Sequence, residues 1–181
     1  MKKRTVFISL VLVSLLTALM PTAALAKAPT SFSASGTVTG INDGSVFPAG
    51  NSGRYVVASR TITGTLAGDI TGDFTLDYKA NVELATQAGN LHGTLQAGAQ
   101  VLEVNGTIEP LQFVGWLVPP GVHPLYPDGI PLYQLDINGH WTAVRGGKGN
   151  GDFTATVIFI PTPDGHVYSI VASAFIMTGQ Q

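Results

Sequence analysis

The stretch from Asp69 to Leu84 constrains the fold more than any other part of the chain. Its odd positions, among them Asp69, Thr71, Asp73, Thr75, Asp77 and Lys79, are all polar. Its even positions run Ile70, Gly72, Phe74, Leu76, Tyr78, Ala80, Val82 and Leu84, apolar apart from one glycine. Strand side chains point alternately to opposite faces, so this is a strand with one wet face and one core face. Sixteen residues at about 3.3 Å each would reach roughly 53 Å, too far for one flat strand in a small domain. A bulge or bend is therefore expected near Gly72.

The rest of the chain reads the same way, with no convincing helix after the first residues. Strands are expected over 33–41, 55–66, 91–96, 101–108, 111–118, 132–137, 140–144, 153–160 and 167–177, rich in Thr, Val, Ile and aromatics. Asn105-Gly106, Asn138-Gly139, Asn150-Gly151 and Asp164-Gly165 are dipeptides that favour tight turns, and the last predicts a hairpin between the final two strands. Both faces are apolar in Val157-Ile158-Phe159-Ile160 and Ile170-Val171-Ala172, as in strands at the centre of a core or under another layer. Eight to ten short strands without crossover helices imply an all-β fold: a single antiparallel β-barrel of about eight strands, or a sandwich.

One stretch resists this pattern. Pro119, Pro120, Pro124, Pro127 and Pro131 remove five backbone donors, so an extended loop is expected there. Its interleaved Val122, Leu125, Tyr126 and Ile130 should fold back over a barrel mouth or a sheet edge. Gly72-Asp73-Phe74-Thr75 also recurs as Gly151-Asp152-Phe153-Thr154. Four residues fall short of a whole supersecondary unit, so chance is preferred over a duplicated half-barrel.

The N-terminus sets the expected location. Lys2, Lys3 and Arg4 precede an apolar run from Val6 to Met20, then Pro21 and Ala24-Leu25-Ala26. This is the layout of a secretory signal peptide of bacterial type, with cleavage after Ala26. The apolar run is about 15 residues, short of the roughly 20 that span a bilayer. One domain, 27–181, would remain, secreted, periplasmic or at the cell surface.

Three of the nine Lys/Arg lie within those first four residues, leaving six against eleven Asp/Glu. Displacing counterions from phosphate needs a basic footprint, and this chain has none, which excludes nucleic acid as a partner. There is no cysteine, hence no thiol nucleophile, lipoprotein anchor or Cys-based zinc site.

No familiar catalytic constellation is present. His92, His123, His140 and His166 fall at no metal-ligand spacing. Asp69, Asp73 and Asp77 share a face but stand about 13 Å apart in steps of four, too far to wrap one calcium ion. The glycines of Gly146–Gly151 precede a strand and lack the helix N-terminus that would hold phosphate. Thr37 and Thr39, with Thr61, Thr63 and Thr65, form rows that suit an exposed strand face. No metal and no cofactor is expected.

Arg145-Gly146-Gly147-Lys148-Gly149-Asn150-Gly151-Asp152-Phe153-Thr154 resembles the Gly-Gly-x-Gly-x-Phe turn and strand of the allene oxide cyclase and dirigent-like β-barrel group. The phenylalanine falls two residues late, after Asn150-Gly151. The resemblance implies a small exported barrel with a lipophilic pocket, and no catalytic residue of that group maps onto this chain.

The expectation is thus a non-enzymatic exported barrel that binds a small apolar ligand or serves as a cell-envelope accessory module. Phe113, Trp116, Tyr126, Tyr133 and Trp141 gather around the proline-rich stretch and are the candidates to line or cover a pocket. Trp116 and Trp141 equally suit a core role. The alternatives are a cyclase or isomerase using His140, Asp152 and Arg145, at least two of them inside the cavity, and a surface adhesive module. The latter expects a filled interior and an exposed aromatic or threonine patch.

Overall fold

The computed structural model describes residues 30–42, 44–161 and 167–181. The expected leader, His166 and the Asp164-Gly165 turn lie outside these residues. Ten strands form: β1 (Ser31–Ile41), β2 (Ser45–Ala49), β3 (Tyr55–Gly68), β4 (Gly72–Glu83), β5 (Gly89–Ala97), β6 (Gln100–Ile108), β7 (Gln112–Val118), β8 (Ile130–Arg145), β9 (Asn150–Pro161) and β10 (Val167–Gln180). Eight of them close into an antiparallel barrel in the order β1-β3-β4-β5-β6-β8-β9-β10, with β10 pairing back onto β1. The sandwich alternative is thereby resolved in favour of a closed barrel.

The two ends differ. The lower end carries the β3–β4, β5–β6 and β8–β9 turns, the start of β1 and the end of β10, where Thr30 and Gln181 exchange backbone hydrogen bonds of 3.0 and 2.9 Å. The upper end carries two protruding hairpins. There β2 pairs with the first part of β3, and β7 with the first part of β8.

These hairpins expose a duplication. In each half the first strand (β1, β6) pairs with the later part of the third (β3, β8). It then breaks, at Asn42–Gly44 or Glu109–Leu111, and resumes as a short strand (β2, β7) along the earlier part of that same third strand. The fourth and fifth strands follow as a hairpin in both halves. The Gly-Asp-Phe-Thr echo falls at equivalent places, the starts of β4 and β9. Phe74 lies directly across from Gly64, and Phe153 directly across from Gly139. In both pairs a Cβ on the glycine would run into the phenylalanine ring. The four residues thus occupy equivalent places in the two halves, each setting a phenylalanine against a facing glycine.

The alternation buries Phe74, Leu76, Tyr78 and Ala80 inside the barrel with the matching rows of the other strands, in one continuous core. Asp69–Thr71 is the β3–β4 turn rather than strand, and Ile70 folds into the lower end of the core. The bend expected near Gly72 is there. Apolar residues face inward and Thr, Asp and Asn outward, the reverse of a membrane barrel. No helix among the described residues is long and apolar enough to cross a membrane.

Three turn expectations fail. Asn105-Gly106, Asn138-Gly139 and Asn150-Gly151 all lie within strands, and the two segments 132–137 and 140–144 are one strand, β8. Gly106 and Gly139 face each other across β6 and β8 on the inner wall, and a Cβ on either would meet the Phe153 ring. The close facing backbone of β6 and β8 together with room for that ring, not chain reversal, explains these glycines. The proline-rich stretch also differs from expectation. It is the tip of the β7–β8 hairpin, closed by Gly121 N–H to Pro127 O at 2.9 Å, and Val122 and Leu125 stand exposed rather than folded over the mouth. Val171 and Ile176 are likewise exposed on the outer wall of β10, so no second layer covers that strand.

Candidate functional site

The barrel's middle is filled, leaving a void of only about 20 Å³ among residues such as Leu76, Leu91, Ile137 and Phe175. Below it, Trp141 is 1 % exposed, packs on Phe32 with ring centroids 4.9 Å apart, and donates its indole N–H to Thr178 O at 3.0 Å. The middle of the barrel and the level of Trp141 thus offer no room for a ligand larger than a water molecule.

The upper mouth is open. A cavity of about 540 Å³ lies there, walled by side chains that include Ile41, Val56, Val82, Ile108, Leu135 and Val167. At this level β1 and β6 have ended, at Ile41 and Ile108, and the chain continues as β2 and β7 in the two upper hairpins. A second depression, of about 420 Å³, runs along the outside of β3, β4 and β5 past Thr61, Asp77, Lys79 and His92. Arg60 and Tyr78 line it as well, and it is the more open of the two to solvent. The mouth is the more sheltered, with the size of a small-molecule site and a lining mostly of Ile, Val, Leu and Ala.

Among the residues on its wall, Arg60 carries a charge. It stands in the inward row of β3 between Ala58 and Ile62, directly across from Tyr78 on β4. Gly44, at φ 58°, sits in the break beside it, and a Cβ there would strike the Ser59 carbonyl and press on Arg60 Cγ. The glycine leaves the arginine its space. Tyr78 is 9 % exposed, and burial pushes its phenol above the ordinary value while the nearby Arg60 charge acts the other way. Among the described residues, the Arg60 guanidinium has no carboxylate within ion-pair reach. Four residues before Gly139, at the position that Arg60 holds before Gly64, the second half carries Leu135. The polar feature of the mouth therefore belongs to one half alone.

The rim is fixed by charge. Arg54 Nε donates to Glu83 Oε1 at 2.6 Å and the Thr86 hydroxyl donates to Glu83 Oε2 at 2.9 Å, tying the start of β3 to the β4–β5 turn. These two hydrogen bonds, Arg54 first, hold the Glu83 carboxyl below the usual carboxylate range, and the pairing raises Arg54 in turn.

The sequence-derived candidates fall in three places. Phe113, Trp116 and Tyr133 cluster on the β7–β8 hairpin, with Phe113 5.2 Å from Trp116 and 5.9 Å from Tyr133 between ring centroids. Of these, Tyr133 reaches the edge of the core, while Phe113 and Trp116 are about half exposed. Tyr126 is at the hairpin tip beside His123, centroids 5.4 Å apart. Trp141 is far from all four, in the lower core. None of the five is on the wall of the mouth cavity.

His140 and Asp152 are cross-strand neighbours on β8 and β9, joined by an Nδ1–Oδ1 hydrogen bond on the outer wall, with side chains 82 % and 69 % exposed. Arg145 is exposed at the lower end. The three do not meet inside the barrel. Among the described residues, no three His, Asp or Glu side chains converge as a metal site would require. Reasoning from sequence missed Arg60, although its signal was present: an arginine in the apolar row Val56, Ala58, Ile62, Gly64, Leu66. Comparison with family models, with curated proteins and with solved structures finds no match, so the site stands on its own residues.

Proposed function

We propose that this is an exported barrel that binds a small, largely apolar ligand in its upper mouth, without catalysing a reaction on it. The observation that carries the reading is the contrast within one interior: filled below, and open above over about 540 Å³ with an apolar wall. Burying apolar ligand surface there at about 25 cal/mol per Å² supplies the affinity, and the strand framework provides a wall formed in advance. Export rests on the leader-like first 26 residues.

The test is native mass spectrometry of residues 27–181, purified gently from the native host, with titration of the neutral fluorescent probe N-phenylnaphthylamine. A co-purifying apolar species, and probe binding lost in Ala80→Trp, which fills the mouth, support the reading. A clean apo mass and no probe binding reject it.

A second reading, a surface module, has its own observation. Phe113, Val114, Trp116 and Leu117 are exposed together on the β7–β8 hairpin, and Thr37, Thr39, Thr63 and Thr65 line up outside β1 and β3, with Thr37 and Thr65 hydroxyls 3.3 Å apart. It predicts surface or polymer binding that Phe113→Ser and Trp116→Ser abolish and Ala80→Trp leaves intact.

A further inference from the structure

The geometry points to an anionic amphiphile, a carboxylate head on an aliphatic tail, as the class of ligand that the mouth takes, with Arg60 and Tyr78 receiving the head. This rests on the mouth being the ligand site and adds the chemistry of what enters it. An arginine is a poor choice for the wall of an apolar cavity. Its guanidinium presents a planar fork of donors and stays charged at any physiological pH. Arg60 is half-buried in the inward row with Val56, Ala58 and Ile62, where an anion of a ligand would find it shielded from bulk water on one side.

The surroundings suit a carboxylate. Arg60 lies directly across from Tyr78, so a guanidinium fork and a phenolic O–H share one side of the cavity. Neither group has a side-chain partner among the described residues, where the neighbouring hydrogen bonds are those of Thr61 with Asn42 and Asp77 on the outer face. A carboxylate can accept two parallel N–H bonds from the fork and a third bond from the hydroxyl. Leu135, Ile108 and Val167, apolar residues of other strands on the same cavity, suit the tail. The acidic balance of residues 27–181, six Lys/Arg against eleven Asp/Glu, makes general anion attraction a poor account of such binding. Any preference for an anion must come from this one place.

The experiment compares lauric acid with lauryl alcohol, equal in tail and different in head, as competitors of N-phenylnaphthylamine near neutral pH. Wild type should bind the acid about tenfold tighter than the alcohol, the worth of a hydrogen bond to a charged group. Arg60→Gln should reduce the acid-to-alcohol affinity ratio from about ten to about one. Tyr78→Phe should weaken the acid by a smaller factor. Equal affinities in wild type overturn the inference, as they would if an acid of the chain itself neutralised Arg60, and that comparison needs no variant. An equal loss of acid and alcohol in Arg60→Gln also overturns it, since the arginine would then only shape the cavity. Absence of probe binding to wild type is a different result: it removes the mouth as a site altogether.

Discussion

Phe74 and Phe153 start equivalent strands in the two halves of the barrel, and both stack on Phe175, at centroid distances of 5.3 and 5.9 Å with the same 26° between ring planes. Each ring occupies the space that a side chain on its facing glycine would need. The two halves are thus joined through one aromatic cluster at the level below the mouth.

Gly64→Ala should destabilise the barrel by about 2 kcal/mol, within the range for overpacking a filled core, and Gly139→Ala by a similar amount. The double variant Gly64→Ala/Phe74→Leu should recover only the part of the loss due to the ring, since the Thr37 carbonyl still stands against the new methyl. Urea denaturation of the single and double variants checks this. Strictly additive losses would show that the glycine and the ring are not coupled.

Trp141→Phe should cost about 1–3 kcal/mol, through the lost indole bond to Thr178 O and incomplete filling of the lower core. Its affinity for an apolar probe should be unchanged, since Trp141 lies away from the mouth. A change in affinity without a change in stability would place the ligand lower in the barrel than the cavity does.

Arg54→Ala should make stability less dependent on pH on the acid side. The Glu83 carboxyl is more acidic folded than unfolded, so its contribution is present above the ordinary carboxylate pKa and fades as pH falls through the lower folded value. The deficit of the variant should therefore be visible at about pH 7 and shrink by about pH 3. Urea midpoints at the two pH values decide it, and an equal deficit at both would mean that Arg54 acts through packing alone.

His140→Ala and Asp152→Asn should change stability by no more than about 0.5 kcal/mol, because the pair is solvated on the outer wall. Probe affinity should not move either. A large effect on binding would relocate the site to the outer face of β8 and β9.

Replacing residues 119–129 by a tight Asn-Gly turn should leave the thermal midpoint within a few degrees of wild type. The tip buries little: Leu125 is 78 % exposed. Loss of folding would show that the tip supports the barrel.

Much of the fold was legible because inward and outward rows differ so sharply. Phe74, Leu76, Tyr78 and Ala80 alternate with polar neighbours, and that alternation survives folding unchanged. Strand β2 was not legible, being five residues long with Pro48 inside it. The Asn-Gly dipeptides misled for a physical reason. Local turn preference is worth less than the space that Phe153 requires, and only the pairing of β6, β8 and β9 shows that the ring and the glycines share one level. The site was obscured in the same way. Aromatics drew attention to the β7–β8 hairpin, whereas the mouth is built from Val, Ile and Ala scattered over many strands, and Arg60 gains its meaning from Tyr78 across the strand pair.

The matching places held by Arg60 and Leu135 have one more consequence. In a vessel whose two like walls face each other across a mouth, an elongated guest could lie across it either way round with no difference in energy. Exchanging one leucine-type position for an arginine gives the vessel a front and a back. The likeness of the two halves supplies the container; the departure from that likeness supplies the direction.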